Sequence, residues 1–182
     1  MRKNLGNLLI ILSLLLLGFT YYPFLRLYLP HSSSPAVSLA VSNSFYINIP
    51  KINAQAPIIL DVDPFSQAVY RKALEQGVAQ ARGSALPGEG RTIFLFAHSS
   101  DVPWRMTRYN TAFLRLGELQ LGDNIFLYKE GREYKYQVVD KKEVWPDEVQ
   151  YLKEDQGDQL ILQTCTPLGT ALKRLLVFAQ PT

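Results

Sequence analysis

Cysteine and histidine are almost absent from this chain of 182 residues. Cys165 is the only cysteine, so no intramolecular disulfide can form. The two histidines are His31 and His98. Metal binding would use nearly this whole supply without zinc-ligand spacing, and we therefore expect no metal and no other cofactor. A lone thiol among apolar residues is usually a small core residue. The alternative is a nucleophile, whose imidazole partner is then almost forced to be His98.

A surplus of charge is also missing once the N-terminus is set aside. The formal net charge is +3, from 19 basic and 16 acidic residues, and Arg2, Lys3 and Arg26 supply the whole excess. This balance gives no indication of a nucleic-acid partner. No G-x-S-x-G motif surrounds a serine, and "LPGEGR" lacks the Lys-Ser/Thr pair of a phosphate-binding loop.

Charge is absent from one long apolar run near the start, "LGNLLIILSLLLLGFTYYPF", Leu5 to Phe24. This is about the 20 residues that a helix needs to cross a bilayer, and Arg2 and Lys3 before it favour a cytoplasmic N-terminus. A cleaved signal peptide is the alternative, but the small residues of a cleavage site do not follow the run. We therefore predict a single-pass protein of the cell membrane with an extracytoplasmic catalytic domain. The predicted segments are a cytoplasmic N-terminus (1–4), a transmembrane helix (5–24), a flexible tether (25–43) and the domain (44–182).

Short runs of β-forming residues dominate the domain. One stretch, residues 63–80, instead predicts a helix with Asp63 as N-cap, Pro64 at its first position and Gly77 at its end. Glu130-Gly131 between two apolar runs predicts a hairpin. About eight strands with one or two short helices are typical of a small closed barrel or sandwich. The clearest predicted strands are Ser44–Ile49, Ala56–Leu60, Arg91–Ala97, Gln159–Thr164 and Arg174–Ala179.

Three reactive residue types stand at the ends of these predicted strands. His98 follows one strand, Cys165 follows another, and Arg174 opens the last. If the last two strands pair antiparallel and the His98 strand runs parallel beside them, all three lie at one end of the barrel. An imidazole can favour the thiolate and protonate a leaving amine, and a guanidinium can stabilise an oxyanion. The trio thus indicates acyl transfer through a thioester, whereas each residue alone also fits a structural role.

The segment "ILQTCTPLGTALKRLLVFA" resembles the signature of sortases, the membrane-anchored cysteine transpeptidases of bacterial surfaces. Three further segments are similar to that family, "INIPKINAQAPII", "LPGEGRTIFLFAHSS" and "FLRLGELQLGDNIFLY". The resemblance runs from about Ser44 to Ala179. It departs at Ala97, where the family usually has glycine before its histidine. The signature residues in register are Leu162, Thr164, Cys165, Pro167, Gly169 and Arg174.

The resemblance implies a mainly β fold, the eight-stranded closed sortase barrel. It implies a substrate among secreted proteins with an LPxTG-like C-terminal sorting signal. Cys165 would attack the carbonyl of the signal's threonine, His98 would protonate the departing amine, and Arg174 would position substrate or stabilise the oxyanion, with Thr164 beside it at the substrate. An amine of a cell-wall precursor or of a pilin lysine would release the product.

Two other functions remain open at this point. One is a membrane-anchored cysteine peptidase or hydrolase with water as the final acceptor. The other is a non-catalytic, anchored β-barrel that binds partners, against which the intact Cys165, His98 and Arg174 argue.

Overall fold

The N-terminal residues form a long helix. The computed structural model of the protein describes residues 2–28, 45–99, 109 and 112–182. Helix α1 covers Arg2–Tyr28 and therefore includes the predicted span and the first residues of the predicted tether. Among the described residues, however, no helix has both the length and the apolarity of a membrane span, so the predicted transmembrane helix is not supported. The rest of the tether lies outside the described residues.

Eight strands form the body of the domain and close into a barrel, which confirms the predicted fold class. Going around the barrel the order is β1-β2-β3-β4-β7-β8-β6-β5, and β1 closes the circle by pairing with β5. A closed barrel leaves no unpaired strand edge. The strands are β1 (Tyr46–Ile49), β2 (Ala54–Val62), β3 (Val78–Ala81), β4 (Ile93–Phe96), β5 (Asn124–Lys129), β6 (Arg132–Val144), β7 (Leu160–Thr166) and β8 (Lys173–Pro181). The two short helices are α2 (Gln67–Leu74) and α3 (Gln150–Lys153).

Strand direction decides which residues meet at each end of the barrel. Strand β7 pairs antiparallel with β8 and parallel with β4, so both conditions considered in the sequence analysis are met. The pair β2–β3 is also parallel, and the remaining neighbours are antiparallel. The ends of β4 and β7 and the start of β8 therefore lie together.

Aliphatic side chains from every side of the barrel fill its core. Burial of each such side chain contributes about 1.5–3 kcal/mol, so the closed sheet is held mainly by this shared interior. The fully buried examples are Ile47, Ile49, Leu95, Ile125, Leu127, Leu162 and Val177.

The predicted helix over residues 63–80 is shorter in the structure. Helix α2 has Ser66 as its N-cap, and Asp63 instead accepts a hydrogen bond at Oδ1 from the backbone N–H of Phe65 (2.9 Å). The last predicted helical residues belong to β3, whose four side chains are all buried. Burial in the sheet overrides the helical pattern here, since propensity is a weak determinant beside tertiary packing.

Gly77 separates α2 from β3, at the place where the sequence predicted the helix to end. A Cβ built there would lie 2.2 Å from the carbonyl oxygen of Pro57, closer than two such atoms can approach. Glycine therefore allows the backbone entering β3 to pass against β2. The hairpin prediction is also confirmed, because Glu130 and Gly131 both have positive φ (52° and 76°) between β5 and β6, as a two-residue type I′ turn requires.

The long connection from β6 to β7, residues 145–159, is fastened to the start of β4. The carboxylate of Asp155 accepts hydrogen bonds from the backbone N–H of Thr92 (2.9 Å) and of Gly157 (3.1 Å). The bond from Thr92 is the main reason that the pKa of Asp155 lies below its usual value. Helix α3 lies within this connection and packs on the sheet through Tyr151, whose ring centroid is 5.7 Å from that of Phe178.

Candidate active site

Cys165 and Arg174 are direct neighbours across two strands. They are register partners in the antiparallel pair β7–β8. Residues directly opposite each other in such a pair project to the same face of the sheet. Cys165 lies inside β7 rather than after it, and β8 begins one residue before Arg174. Both side chains are partly exposed. The thiol and the guanidinium therefore lie at the same end of the barrel, as expected if the last two strands pair antiparallel.

His98 lies at the same level on the other side of Cys165. The parallel pairing of β4 with β7 sets Phe96 opposite Gln163. His98 and Cys165 each lie two residues beyond this pair. Neighbouring strands of a sheet are about 4.8 Å apart, so the two residues lie side by side. The backbone N–H of Ala97 still donates to the carbonyl of Gln163 (3.1 Å), so the two segments stay hydrogen-bonded beyond the end of β4. Alternation along the chains puts His98, Cys165 and Arg174 on one face.

Thr164 holds this arrangement together from the opposite face. Its side chain is buried, with 4% of its surface exposed, and its Oγ1 donates a hydrogen bond to the carbonyl oxygen of Ala97 (3.0 Å). The bond ties the residue before His98 to the residue before Cys165. This hydrogen bond to Ala97 explains why a small hydroxyl residue occupies a core position. A contact of Thr164 with substrate stays a prediction.

The guanidinium of Arg174 is fixed along one edge by backbone carbonyls that come just before it in the chain. Its Nη1 donates to the carbonyl oxygens of Ala171 (3.1 Å) and Lys173 (3.2 Å). Within the part of the chain that the structure describes, Nε and Nη2 make no further hydrogen bond. One nitrogen of the planar group thus donates to nearby backbone carbonyls, and the other two can donate to a further acceptor.

The sheet face that carries the three residues is apolar and is covered by the two short helices. Tyr70 of α2 lies against Phe96 and His98, while Tyr151 of α3 lies against Phe178. His98, Cys165 and Arg174 are each partly exposed on this face. Hydrogen bonds and charges in such a partly desolvated place act more strongly than in water. The buried side chains of the face are Phe94, Phe96, Ile161, Leu176 and Phe178.

A polar cluster that the sequence analysis missed lies behind the site, on the opposite face of the sheet. The Lys173 ammonium is 5.4 Å from the ring centroid of Trp145 and 3.4 Å from Oε2 of Glu143. Oε1 of Glu143 accepts a hydrogen bond from Thr166 (3.4 Å). These contacts connect the end of β6 to the ends of β7 and β8. No local sequence motif predicts these contacts, because the four residues are brought together only by strand register.

The site offers acid, base and nucleophile chemistry. No cluster of three or more His, Cys, Asp or Glu side chains that could hold a metal ion occurs within residues 2–28, 45–99, 109 and 112–182. A thiol, an imidazole and a guanidinium on one sheet face can form and break an acyl–sulfur bond, with the guanidinium at the developing oxyanion.

A closed eight-stranded barrel with a cysteine and an arginine paired across its last two strands defines a class of cysteine-dependent β-barrel proteins. The family model of the sortase domain matches residues 47–182. The chain belongs to the sortase family, as the resemblance of its motifs predicted.

Individual sortases show the same similarity. Sortase D of Bacillus subtilis (strain 168) is 32% identical over 138 residues, which cover 74% of this chain and 61% of that protein. The chain therefore spans less than two thirds of that curated relative. Sortase C-1 of Actinomyces oris superposes with a TM-score of 0.64 at 30% identity, covering 76% of this chain and 73% of the other. Clostridium perfringens sortase C, solved with the C-terminal cell wall sorting motif, gives 0.61 at 32% identity, covering 75% and 69%.

Proposed function

We propose that this chain is a cysteine transpeptidase that cleaves an LPxTG-like sorting signal of secreted proteins and transfers the acyl group to an amine. The observation that supports it most is the register pairing of Cys165 with Arg174, with His98 at the same level on the neighbouring chain. Membership of the sortase family supports the same reaction class. A related sortase C was solved with a C-terminal cell wall sorting motif, which supports a substrate of that kind.

In the first half of the proposed reaction, the Cys165 thiolate attacks the carbonyl carbon of the signal's threonine. The carbonyl oxygen becomes an oxyanion next to the remaining N–H donors of Arg174. When the tetrahedral intermediate collapses, the C–N bond breaks and the departing amine takes a proton from the His98 imidazolium. The enzyme is left with a thioester at Cys165 and a neutral imidazole.

In the second half, an amine of a cell-wall precursor or of a pilin lysine attacks the thioester. The amine loses a proton to the neutral His98, the C–S bond breaks, and the thiolate and imidazolium are restored. One amide bond is broken and one is formed, so the energy of the first bond is kept in the thioester. This conservation is why a cysteine acyl-enzyme can transfer to an amine without another energy source.

Product analysis with an added amine tests the proposal. LPxTG peptides, one for each residue at the variable position, would be incubated with the full chain, with and without triglycine, and the products identified by mass spectrometry. We expect a threonyl-triglycine ligation product only when triglycine is present. Hydrolysis alone at saturating triglycine would favour the peptidase alternative. If no peptide of the series is cleaved, the proposed reaction on LPxTG-like signals is wrong and the non-catalytic barrel is favoured.

For localisation we propose that the N-terminal segment holds the domain at the outer side of the cell membrane. The support is the uncharged stretch Leu5–Phe24 behind Arg2 and Lys3, and the exposure of apolar side chains along α1, such as Leu14 (64%) and Phe19 (85%). Fractionation of cells producing the full chain is expected to leave it in the membrane pellet after a carbonate wash. Recovery in the soluble fraction would contradict the proposal.

A further inference from the structure

We infer that Tyr70 is a positioning residue that holds the imidazole of His98 in its working orientation toward Cys165. The inference rests on the proposed function, in which His98 exchanges the protons. It assigns a task to a residue of α2 that no sequence motif indicated.

His98 stands just outside the hydrogen-bonded sheet. Strand β4 ends at Phe96, and the two bonds that continue the attachment to β7 both involve Ala97. The backbone before the histidine is therefore fixed, whereas the ladder does not determine the orientation of its ring. A general acid must present one particular nitrogen to the leaving group, so the contacts of the ring itself matter for this task.

Tyr70 supplies that support from α2. Its ring centroid lies 6.5 Å from that of His98, with the ring planes at 66°. The same ring lies 6.4 Å from that of Phe96, with the planes at 82°. Both are edge-to-face geometries within the range that aromatic pairs prefer. Tyr70 thus contacts two successive side chains, Phe96 and His98, on one face of the segment that leaves β4.

Helix α2 is itself rigidly placed, so Tyr70 is presented by a fixed element. Ala73 and Leu74 are buried in the core, with 8% and 2% of their surface exposed. The backbone N–H of Tyr70 donates to the carbonyl of Ser66 (2.9 Å), in the first turn after the N-cap. The helix is followed by Gly77, which packs directly on Pro57. A side chain on such a helix can restrict the ring of a neighbour, as the support of a catalytic group requires.

Kinetics of two substitutions separate positioning from substrate binding. Tyr70→Leu is expected to lower kcat about five- to tenfold, the effect of one aromatic contact, with KM changed less than about twofold. Tyr70→Phe keeps the ring and is expected to retain most of the parent kcat. Tyr46→Leu is the matched control, since Tyr46 stacks on Tyr128 at 4.5 Å in the β1–β5 pair, and it should leave kcat unchanged. An unchanged kcat in Tyr70→Leu would overturn the inference while the proposed function stands.

A second measurement does not depend on turnover. The full chain with His31→Ala, made without a histidine tag, contains His98 as its only imidazole. The ¹H and ¹³C chemical shifts of the His98 ring are expected to change in Tyr70→Leu, because the ring current of the tyrosine is lost. In Tyr70→Phe the same chemical shifts should stay close to those of the parent. Imidazole resonances that are the same in the parent and in Tyr70→Leu would contradict the contact. This result is obtained even if the parent proves inactive on sorting peptides, so the two proposals fail separately.

Discussion

Cys165→Ala is expected to abolish transpeptidation while leaving the barrel folded. The thiol is the only one in the chain, so no other side chain can form the thioester. Loss of a covalent nucleophile typically costs at least about 10⁴-fold in turnover. The side chain is only partly buried near the end of β7, so its removal leaves no large cavity in the core. Ligation of the sorting peptide to triglycine measures the first effect, and thermal unfolding followed by circular dichroism measures the second.

The matched control is Thr166→Ala, one residue further along β7 on the opposite face of the sheet. Thr166 pairs with Lys173, whereas Cys165 pairs with Arg174. This variant should retain turnover within about twofold, as surface substitutions away from a site usually have small effects. Mass spectrometry of the parent incubated with peptide should also show an acyl adduct that is missing in Cys165→Ala. Ligation by the alanine variant at more than a thousandth of the parent rate would mean that the thiol is not the nucleophile.

Arg174→Lys is expected to lower kcat about 100-fold, the usual cost of losing one oxyanion donor. The guanidinium binds the carbonyls of Ala171 and Lys173 through Nη1 and still has Nε and Nη2 in a fixed plane. An ammonium has a single nitrogen on a flexible stem and cannot reproduce that fork. It would have to choose between the carbonyls of Ala171 and Lys173 and the substrate. Steady-state kinetics on the cleaved sorting peptide gives kcat and KM separately.

Lys173→Ala is the appropriate comparison for the loss of Arg174. It removes a positive charge from the adjacent residue, but that side chain faces Trp145 and Glu143 on the other side of the sheet. We expect a modest loss of stability and turnover within about twofold of the parent. If Lys173→Ala and Arg174→Lys lowered kcat equally, a general effect of charge would explain both, and the specific function of the guanidinium would be wrong.

Much of the barrel was predictable because its local signals agree with its fold. Short runs of β-forming residues marked most strands, and the positive φ values of Glu130 and Gly131 match the hairpin that the dipeptide predicted. The candidate site was predictable for a different reason, which is scarcity. One cysteine and one histidine outside the N-terminal region leave little choice of partners, and an arginine at the start of the last strand completes the set.

The predictions from sequence were wrong where contacts with residues distant in the chain decide the local structure. The stretch predicted as a helix runs to Gln80, yet its residues from Val78 onward belong to β3, because β2 and β4 bond to their backbone groups. Asp63 has the chemistry of an N-cap, but the helix begins after Ser66. In both cases the competing states differ little in local free energy, so tertiary contacts decide between them.

By itself, the sequence determined which side chains are available for chemistry and roughly where most strands lie. Only the tertiary structure decided that Cys165 faces Arg174 directly, that Thr164 turns inward to hold the end of β4, and that Tyr70 reaches His98 from another element. The physical reason is register. A shift of one residue in the pairing of β7 would exchange the faces to which Cys165 and Thr164 project, and register is selected by the whole buried core rather than by any local motif.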